Sequence, residues 1–296
     1  MKKVLYTGLM FGAAIGLLTF SACEKAISDV TETTVSGEDA VIVESAIASA
    51  FDVVDDIAST DGRMQKNGTT LLPDGVDVVF TDSLFTDNDG VEFYVDFGAY
   101  DPSKTMNGVL CADGKYRAGK ITITANKPYT ELGCVIEAKF EDGADAYYIG
   151  DGLTMIKVLA NLKATRTGQE TATLEITGCK VFTPEGTVEF QSNKQIKRIK
   201  GNDQPGSLGD EYEVTGNGSG TNRNGEPFTI EITKTLLQRI EDGCSRTFIV
   251  GIIELKNTSS NKSMSVDFDP KGDGACDRLI RITLPGGINK DIIIGE

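Results

Sequence analysis

Hydrophobic and polar residues follow four successive patterns along the chain. An apolar run extends from Val4 to Phe20, and a polar stretch without periodicity, 23–36, follows it. Apolar residues then recur mainly at helical spacing over 38–58, which predicts one amphipathic helix whose apolar face packs on the rest of the chain. From about residue 76 the period becomes two, which predicts β-strands with one buried face.

Six segments carry this alternation. Their predicted buried residues are Ile121 and Ile123, Leu174 and Ile176, Phe228, Ile230 and Ile232, Phe248, Val250 and Ile252, Met264, Val266 and Phe268, and Ile280, Ile282 and Leu284. Residues typical of hairpin turns separate them at 183–186, 216–227 and 257–261. Because no strand is followed by a clear crossover helix, the predicted fold is mainly β: an antiparallel hairpin meander, as an elongated or curved sheet or a sandwich-like pair, preceded by one helix.

Local signals refine this outline. Ser36 and Asp39 have the spacing of an N-capping pair, which places the helix start there. The segment 153–165 fits a short helix or a strand, and its neighbours favour a strand. The block 95–124 recurs in shortened form as 266–284, which indicates two related β units, 76–200 and 201–296, after a helix and connection over 37–75.

The first residues have the layout of a secretory signal. Lys2 and Lys3 precede the apolar run, and the small pair Ser21 and Ala22 precedes Cys23. The segment resembles a bacterial lipoprotein signal peptide, with Phe20 standing where leucine is usual. That resemblance implies removal of 1–22, acylation of Cys23 by palmitate and related chains, and a flexible tether over 23–36. An uncleaved membrane helix and a plain secretory signal are the alternatives. Glu24, by resemblance to Gram-negative sorting rules, favours the outer membrane.

Charge and composition exclude several function classes. The formal net charge is −15, and loss of two lysines with the signal makes it −17, so nucleic acid and anionic lipid faces are not expected partners. The basic segment 193–200 is predicted to balance nearby acids, with a local anion site as the alternative. The absence of histidine removes His-dependent nucleophilic catalysis and nearly all catalytic zinc chemistry. We therefore predict no enzyme and no cofactor, with an acid-pair hydrolase as the least favoured alternative.

The absence of tryptophan leaves tyrosines as possible platforms for sugars. These are Tyr94, Tyr100, Tyr147 and Tyr148. Loops rich in Asp and Gly were compared with the calcium-binding EF-hand pattern: Phe85 stands at the first ligand position of one, and Lys271 and Ile280 occupy ligand positions of the other. Turn formation explains these loops, and no metal is predicted.

The cysteines and one surface motif complete the candidate sites. If 257–261 is a hairpin turn, residues whose numbers add to about 518 face each other, which brings Cys244 within two residues of Cys276 and predicts a disulfide. The other cysteines are interpreted as small core residues. Asp82, Ser83 and Leu84 resemble the O-glycosylation acceptor of Bacteroidetes envelope proteins, with Ser83 as the modified residue.

Together these features resemble a family of uncharacterised Bacteroidetes lipoproteins. The features that carry the resemblance are the lipobox-like cysteine, the helix and the blocks "VDFG", "GKITIT" and "GDGACD". In this chain Asp269 stands where the family tends to have glycine. The resemblance implies a β-rich outer-membrane lipoprotein with no established activity. We expect a non-enzymatic binding or structural module for a glycan, protein or envelope partner; the alternative is a periplasmic carrier of lipid or another hydrophobic ligand.

Overall fold

A computed structural model describes the backbone of residues 20–59, 71–87, 89–140, 142–201, 208–242 and 248–293, with side chains of the first range from 34 to 58. One helix, α1, spans Phe20–Ser59, and a 3₁₀ turn spans Phe85–Asp87. The strands are β1 Asp77–Asp82, β2 Val91–Asp96, β3 Val109–Leu110, β4 Tyr116–Ala118, β5 Lys120–Ala125, β6 Val135–Phe140, β7 Tyr147–Gly150, β8 Met155–Arg166, β9 Thr171–Thr183, β10 Gly186–Lys200, β11 Glu211–Thr221, β12 Pro227–Arg239, β13 Phe248–Asn257, β14 Lys262–Asp267, β15 Leu279–Leu284 and β16 Ile288–Ile293.

All sixteen strands belong to one antiparallel sheet whose order follows the chain closely. The main path runs β1, β2, β5, β6 and β8, and then consecutively to β16. Strands β3, β4 and β7 form a side branch that joins the path through β8. The sheet is open, with β1 and β16 at its edges. The predicted antiparallel meander preceded by one helix is therefore confirmed.

Helix α1 lies inside the curve of the sheet. Its side chains contact residues on strands that are far apart in the sheet order: Ser49 binds Arg117 on β4, and Glu44 pairs with Lys194 on β10. Such contacts require the sheet to bend around the helix. The amphipathic prediction is therefore wrong in one respect, because most helix residues from 36 to 58 are buried, acids included. The strands supply the polar partners that make this burial tolerable.

The helix also begins earlier than predicted. It starts at Phe20 rather than at residue 38, so the range 23–36, predicted as a flexible tether, is helical. No glycine or proline interrupts 20–36, which explains why the helix continues there. Ser36 and Asp39 consequently do not cap it. Asn222 donates a hydrogen bond to the Ser36 hydroxyl, and the Arg223 backbone N–H donates to the Asp39 carboxylate.

Most predicted strand faces are buried as expected, and β13 is the exception. Ile253 and Leu255 are buried, whereas Val250 and Ile252 of the predicted face are only half-buried. The hairpin β13–β14 pairs Leu255 with Met264, one residue away from the predicted register. A one-residue shift in pairing exchanges the two faces of a strand, so both differences have the same origin.

The glycine-rich stretch 216–227 was predicted to be a turn, and this is wrong for its first half. Strand β11 continues to Thr221, and the turn occupies 222–226. Gly218 and Gly220 face inward, where a Cβ would lie 2.7 Å from Phe190 Cζ and 2.9 Å from Phe228 Cζ respectively. Glycine is therefore required here by packing against two aromatic rings, while the residues between the glycines point outward.

Other local predictions have clear outcomes. Segment 153–165 forms most of strand β8, as its neighbours favoured. The repeated blocks show the same pairing, since Val95 faces Ile121 and Val266 faces Ile282. Both proposed β units lie in one sheet, because β10 pairs with β11 across the division at 200–201, and the division itself stays a prediction. Within the described residues, no helix has the length and apolarity needed to cross a membrane.

Candidate functional site

The predicted lipid-attachment residue, Cys23, lies in the first turns of α1. Cys23 falls within the helical range, but its side chain lies outside those described. The signal segment 1–19 is also outside the described residues. Acylation of Cys23 therefore stays a prediction.

The remaining cysteines fall into two groups. Cys276 is disulfide-bonded, whereas Cys244, its predicted partner, lies outside the described residues, so the pairing stays a prediction. Cys111, Cys134 and Cys179 are free and buried. Burial raises the pKa of the Cys179 thiol to about 12, which keeps it protonated and unreactive at neutral pH. This agrees with the interpretation of these three as core residues.

The predicted glycosylation residue lies in an exposed turn. Ser83 follows β1 directly, and the Asp82 carboxylate accepts a hydrogen bond from the Leu84 backbone N–H at 3.0 Å. Carboxylate oxygens of Asp82, Asp87 and Asp89 lie within 4.8 Å of one another, and a hydrogen bond with Asp87 raises the pKa of Asp89. These exposed acids have no further feature that indicates a bound ion, and the EF-hand pattern remains absent from the sequence.

The second Asp- and Gly-rich loop serves as a turn. The Asp269 carboxylate accepts hydrogen bonds from the backbone N–H groups of Asp273 and Gly274. Lys271 forms an ion pair with Asp277 at 2.8 Å. The acids therefore organise the loop itself, as the turn interpretation predicted.

The tyrosines considered as sugar platforms are distributed differently. Tyr147 is fully buried, and Tyr100 stacks on Tyr148 with ring centroids 4.1 Å apart. Lys120 Nζ lies 4.9 Å from the centroid of the Tyr94 ring. Rings that already contact each other or a cation offer less free surface to a sugar.

The basic segment 193–200 places every one of its cations next to an acid. Lys197 lies 3.8 Å from Glu213, and Lys200 lies 3.1 Å from Glu211. Arg198 binds Glu170 at 2.9 Å. Lys194 points inward to Glu44, so the segment balances acids on both faces of the sheet, as predicted from its charge.

A buried acidic network, not predicted from the sequence, joins α1 to the sheet near residue 55. Tyr129 donates to Asp55 at 2.6 Å, and the Tyr212 hydroxyl lies 2.8 Å from carboxylate oxygens of both Asp55 and Asp210. Burial raises the pKa of Asp210 to about 6. The adjoining cavity has a volume of about 40 Å³, enough for one or two water molecules.

A second buried network surrounds Arg117, which is fully buried. Arg117 donates to both oxygens of Asp113 at 2.8 and 2.7 Å and to the Ser49 hydroxyl at 2.7 Å. Burial alone would raise the pKa of Asp113, but the charges and hydrogen bonds of Arg117 and Lys115 hold it at about 2. Burial likewise raises the pKa of Asp52, beside Gln238 on β12, to about 7. These groups are enclosed, and their contacts hold the helix against the sheet.

An open depression of about 740 Å³ lies on the outer face of β9 to β14. We call it the outer depression and define it by two rows of outward side chains that cross the strands. The first row is Glu175, Asn193, Asn217, Glu231 and Glu254. The second row is Gln191, Ser219, Thr229, Lys256 and Ser263.

Each row is in register, because every member faces the next one directly on the neighbouring strand. Asn193 faces Asn217, and Glu231 faces Glu254. Neighbouring strands lie about 4.8 Å apart, so five strands present a row about 19 Å long. None of the ten side chains is aromatic or aliphatic. The depression therefore offers two parallel lines of hydrogen-bonding groups.

Charges in the outer depression lack the pairing seen elsewhere on the sheet. On the surrounding outer surface, Lys163 pairs with Glu137 and Lys180 pairs with Glu189. Among the described residues, Glu175, Glu231 and Glu254 form no ion pair. Glu231 and Glu254 are moreover like charges in directly opposed positions, an arrangement that destabilises a sheet. Glu175 faces Lys163 on β8 without forming an ion pair, whereas the fold does not explain the opposed acids Glu231 and Glu254.

Sequence reasoning did not find this site. Asn217 and Ser219 lie in the glycine-rich stretch whose sequence predicts a turn, and the other members of the two rows come from five other strands. The one available signal was the alternation of glycine with polar residues from 216 to 221, which has the period of a strand.

Comparison of the chain with protein-family models, with curated proteins and with solved structures finds no match. The described part of the chain defines a mainly β protein, with an open antiparallel sheet wrapped around one buried helix.

Proposed function

We propose that this chain is a lipid-anchored, non-enzymatic binding module of the bacterial outer membrane that recognises a polar partner through the outer depression. The observation that carries the proposal is the set of unpaired glutamates beside exposed amides and hydroxyls. Polar groups without partners on the protein are available to a ligand, and the opposed charges of Glu231 and Glu254 cost stability that a ligand would offset.

One orientation of the protein at the membrane accommodates both the lipid anchor and an accessible outer depression. Lipid on Cys23 would hold the N-terminal end of α1 at the membrane. Glu38, further along the helix, pairs with Arg223 at 2.8 Å and with Lys290 at 2.8 Å, so the turn after β11 and the edge strand β16 lie towards the anchored end. The helix between Cys23 and Glu38 would span about 22 Å at 1.5 Å per residue, which lifts the sheet above the lipid headgroups. Ser83 remains a proposed glycosylation residue in this arrangement.

A carrier of lipid or another hydrophobic ligand is less well supported. Such a carrier needs an empty apolar interior, whereas α1 occupies the interior of this sheet. The cavity beside Asp55 has a volume of about 40 Å³, far below the roughly 300 Å³ or more of typical ligand pockets.

An acid-pair hydrolase has one feature in its favour, since Asp55 and Asp210 both approach the Tyr212 hydroxyl at 2.8 Å. Their cavity is too small for a substrate bond flanked by two carboxyl groups. This second candidate therefore does not replace the binding proposal.

The proposal is tested by site-specific photo-crosslinking in native cells. A photoreactive residue replaces Thr229 in the outer depression, and a matched variant carries it at Gln195, which is also exposed and outward-facing but lies outside the depression. We expect an adduct from position 229 and none from 195. A Cys23→Ser variant should leave the membrane fraction. Equal adducts at both positions, or none at 229, would contradict a binding role for the depression.

A further inference from the structure

The two rows of the outer depression indicate the shape of the ligand. They run perpendicular to the strands, and each strand from β10 to β13 contributes one residue to each row. The spacing of about 4.8 Å between strands is close to the length of one sugar ring in an extended chain. An extended polymer lying across the strands would therefore meet one pair of polar side chains for each of its units.

The chemistry of the rows indicates the class of ligand. Asn193, Asn217 and Gln191 supply both donors and acceptors, while the three glutamates supply acceptors only. Sugar hydroxyls are both donors and acceptors, so they match this mixture. With three acids and one base, Lys256, the ten side chains have a net charge of −2, which disfavours an anionic polymer.

A protein partner fits the depression less well. Protein interfaces depend on aromatic or aliphatic side chains that the partner can reach, and the two rows contain none. The aliphatic residues that also line the depression, Ile176, Ile230 and Leu255, are buried. Of the exposed large hydrophobic residues on the described surface, including Leu84, Leu132 and Leu153, none belongs to the depression.

We propose that the outer depression binds an extended, uncharged glycan whose chain crosses strands β9 to β14, with about one sugar unit for each strand. This inference rests on the binding function proposed above and specifies its ligand.

The rows are already arranged for such a ligand. Their backbone lies within a paired sheet, and Gln191 donates to the Ser219 hydroxyl at 3.1 Å, which orients one pair within the second row. Little ordering entropy is therefore lost from the protein on binding. The absence of aromatic rings in the rows predicts weak binding per sugar and a strong dependence on chain length.

The test uses the full lipidated chain in detergent micelles and calorimetric titration with linear, uncharged oligosaccharide series of increasing length. We expect affinity to rise with each added sugar up to about six units, the number of strands from β9 to β14, and then to level off. Asn217→Ala should weaken binding about tenfold, because it removes hydrogen bonds at the centre of the first row. Gln195→Ala, on β10 but outside the depression, should leave affinity unchanged.

Two results would overturn the glycan assignment. If no oligosaccharide binds but a lysine-rich peptide binds and loses affinity on Glu231→Gln, the depression recognises a cationic protein segment, and the binding function stands without the glycan. If oligosaccharides bind equally well to wild type, Asn217→Ala and Gln195→Ala, the glycan site lies elsewhere. Failure of oligosaccharide and peptide to bind, together with no photo-adduct at position 229 in cells, would remove both proposals.

Discussion

Removal of the Lys194 ammonium group is expected to destabilise the fold strongly. The Lys194 side chain is 3% exposed and its partner Glu44 is 0% exposed. Glu44 Oε1 has no hydrogen-bond partner among the described residues, so Lys194→Met would leave a buried carboxylate without any counter-charge. Breaking a buried ion pair on one side typically costs about 3–5 kcal/mol, which in a domain of this size lowers Tm by on the order of 10 °C.

Urea unfolding followed by far-ultraviolet circular dichroism measures this cost without depending on tryptophan, which the chain lacks. Lys197→Met is the matched control, because Lys197 lies on the same strand, is 60% exposed and contacts Glu213 at 3.8 Å. Its loss should cost less than about 1 kcal/mol. The double variant Lys194→Met with Glu44→Leu should recover most of the lost stability, since no charge stays buried.

The reasoning fails if Lys194→Met costs less than about 1 kcal/mol or if the double variant is no more stable than the single one. Either result would mean that Glu44 reaches water or another cation. The pair would then not hold α1 inside the sheet in the way its burial indicates.

Three further predictions concern pH, opposed charges and the disulfide. Burial raises the pKa of Asp39 and of Asp210 from 3.8 to about 6. Their contribution to stability is therefore complete below pH 3.8 and is lost as the pH rises through about 6. Asp113, with a pKa of about 2, behaves in the opposite way: it contributes above pH 3.8 and loses its contribution as the pH falls towards 2. The raised pKa of Asp52, about 7, acts in the same direction as those of Asp39 and Asp210. Urea unfolding should therefore show greater stability at pH 5 than at pH 8, and a flat profile would contradict the burial of these acids. Glu231→Gln should raise the free energy of unfolding by about 0.2–1 kcal/mol, because it removes one of two opposed charges. The control Glu213→Gln loses an exposed ion pair and should not raise it. Equal effects of the two variants in calorimetric scans would argue against repulsion between Glu231 and Glu254. Non-reducing peptide mapping should find Cys276 linked to Cys244, and a free thiol on Cys244 would rule out that pairing.

Strands were the most predictable part of this protein because their signal is local. Ile121 and Ile123, or Ile280 and Ile282, alternate with polar residues in the sequence, and this period of two specifies which face is buried. Strand β13 was predicted with the wrong face because its run of apolar residues, Phe248 to Ile253, contains candidates for either face. In such a run the pairing register decides the face, and the register depends on the partner strand.

The burial of α1 could not be predicted in the same way. Its acids have the appearance of a solvent-facing side until their partners are known, and those partners are remote in sequence: Lys194 is 150 residues from Glu44, and Gln238 is 186 residues from Asp52. A local pattern gives the period of a helix but not the polarity of what surrounds it. The continuation of the helix through 23–36 was missed for a related reason, since polar composition was interpreted as a flexible tether.

The outer depression could not be predicted from the sequence for both of these reasons: its local pattern is ambiguous, and its residues come from strands that are remote in sequence. The glycines of β11 resemble a turn in sequence, although inward packing of Phe190 and Phe228 requires them within a strand. Once that strand is in place, Asn217 and Ser219 lie between polar neighbours from β10 and β12, and the acids Glu231 and Glu254 face each other. Inside the sheet, Glu44 and Asp52 of α1 each have a partner on a strand, and Asp39 pairs with Arg223 in the turn after β11. The chain thus pairs its buried acids but leaves two opposed acids, Glu231 and Glu254, unpaired on its surface. Repulsion between them lowers the stability of the sheet locally, and the fold does not require it. Binding of a ligand rich in hydrogen-bond donors would offset that loss of stability and gives it a physical reason.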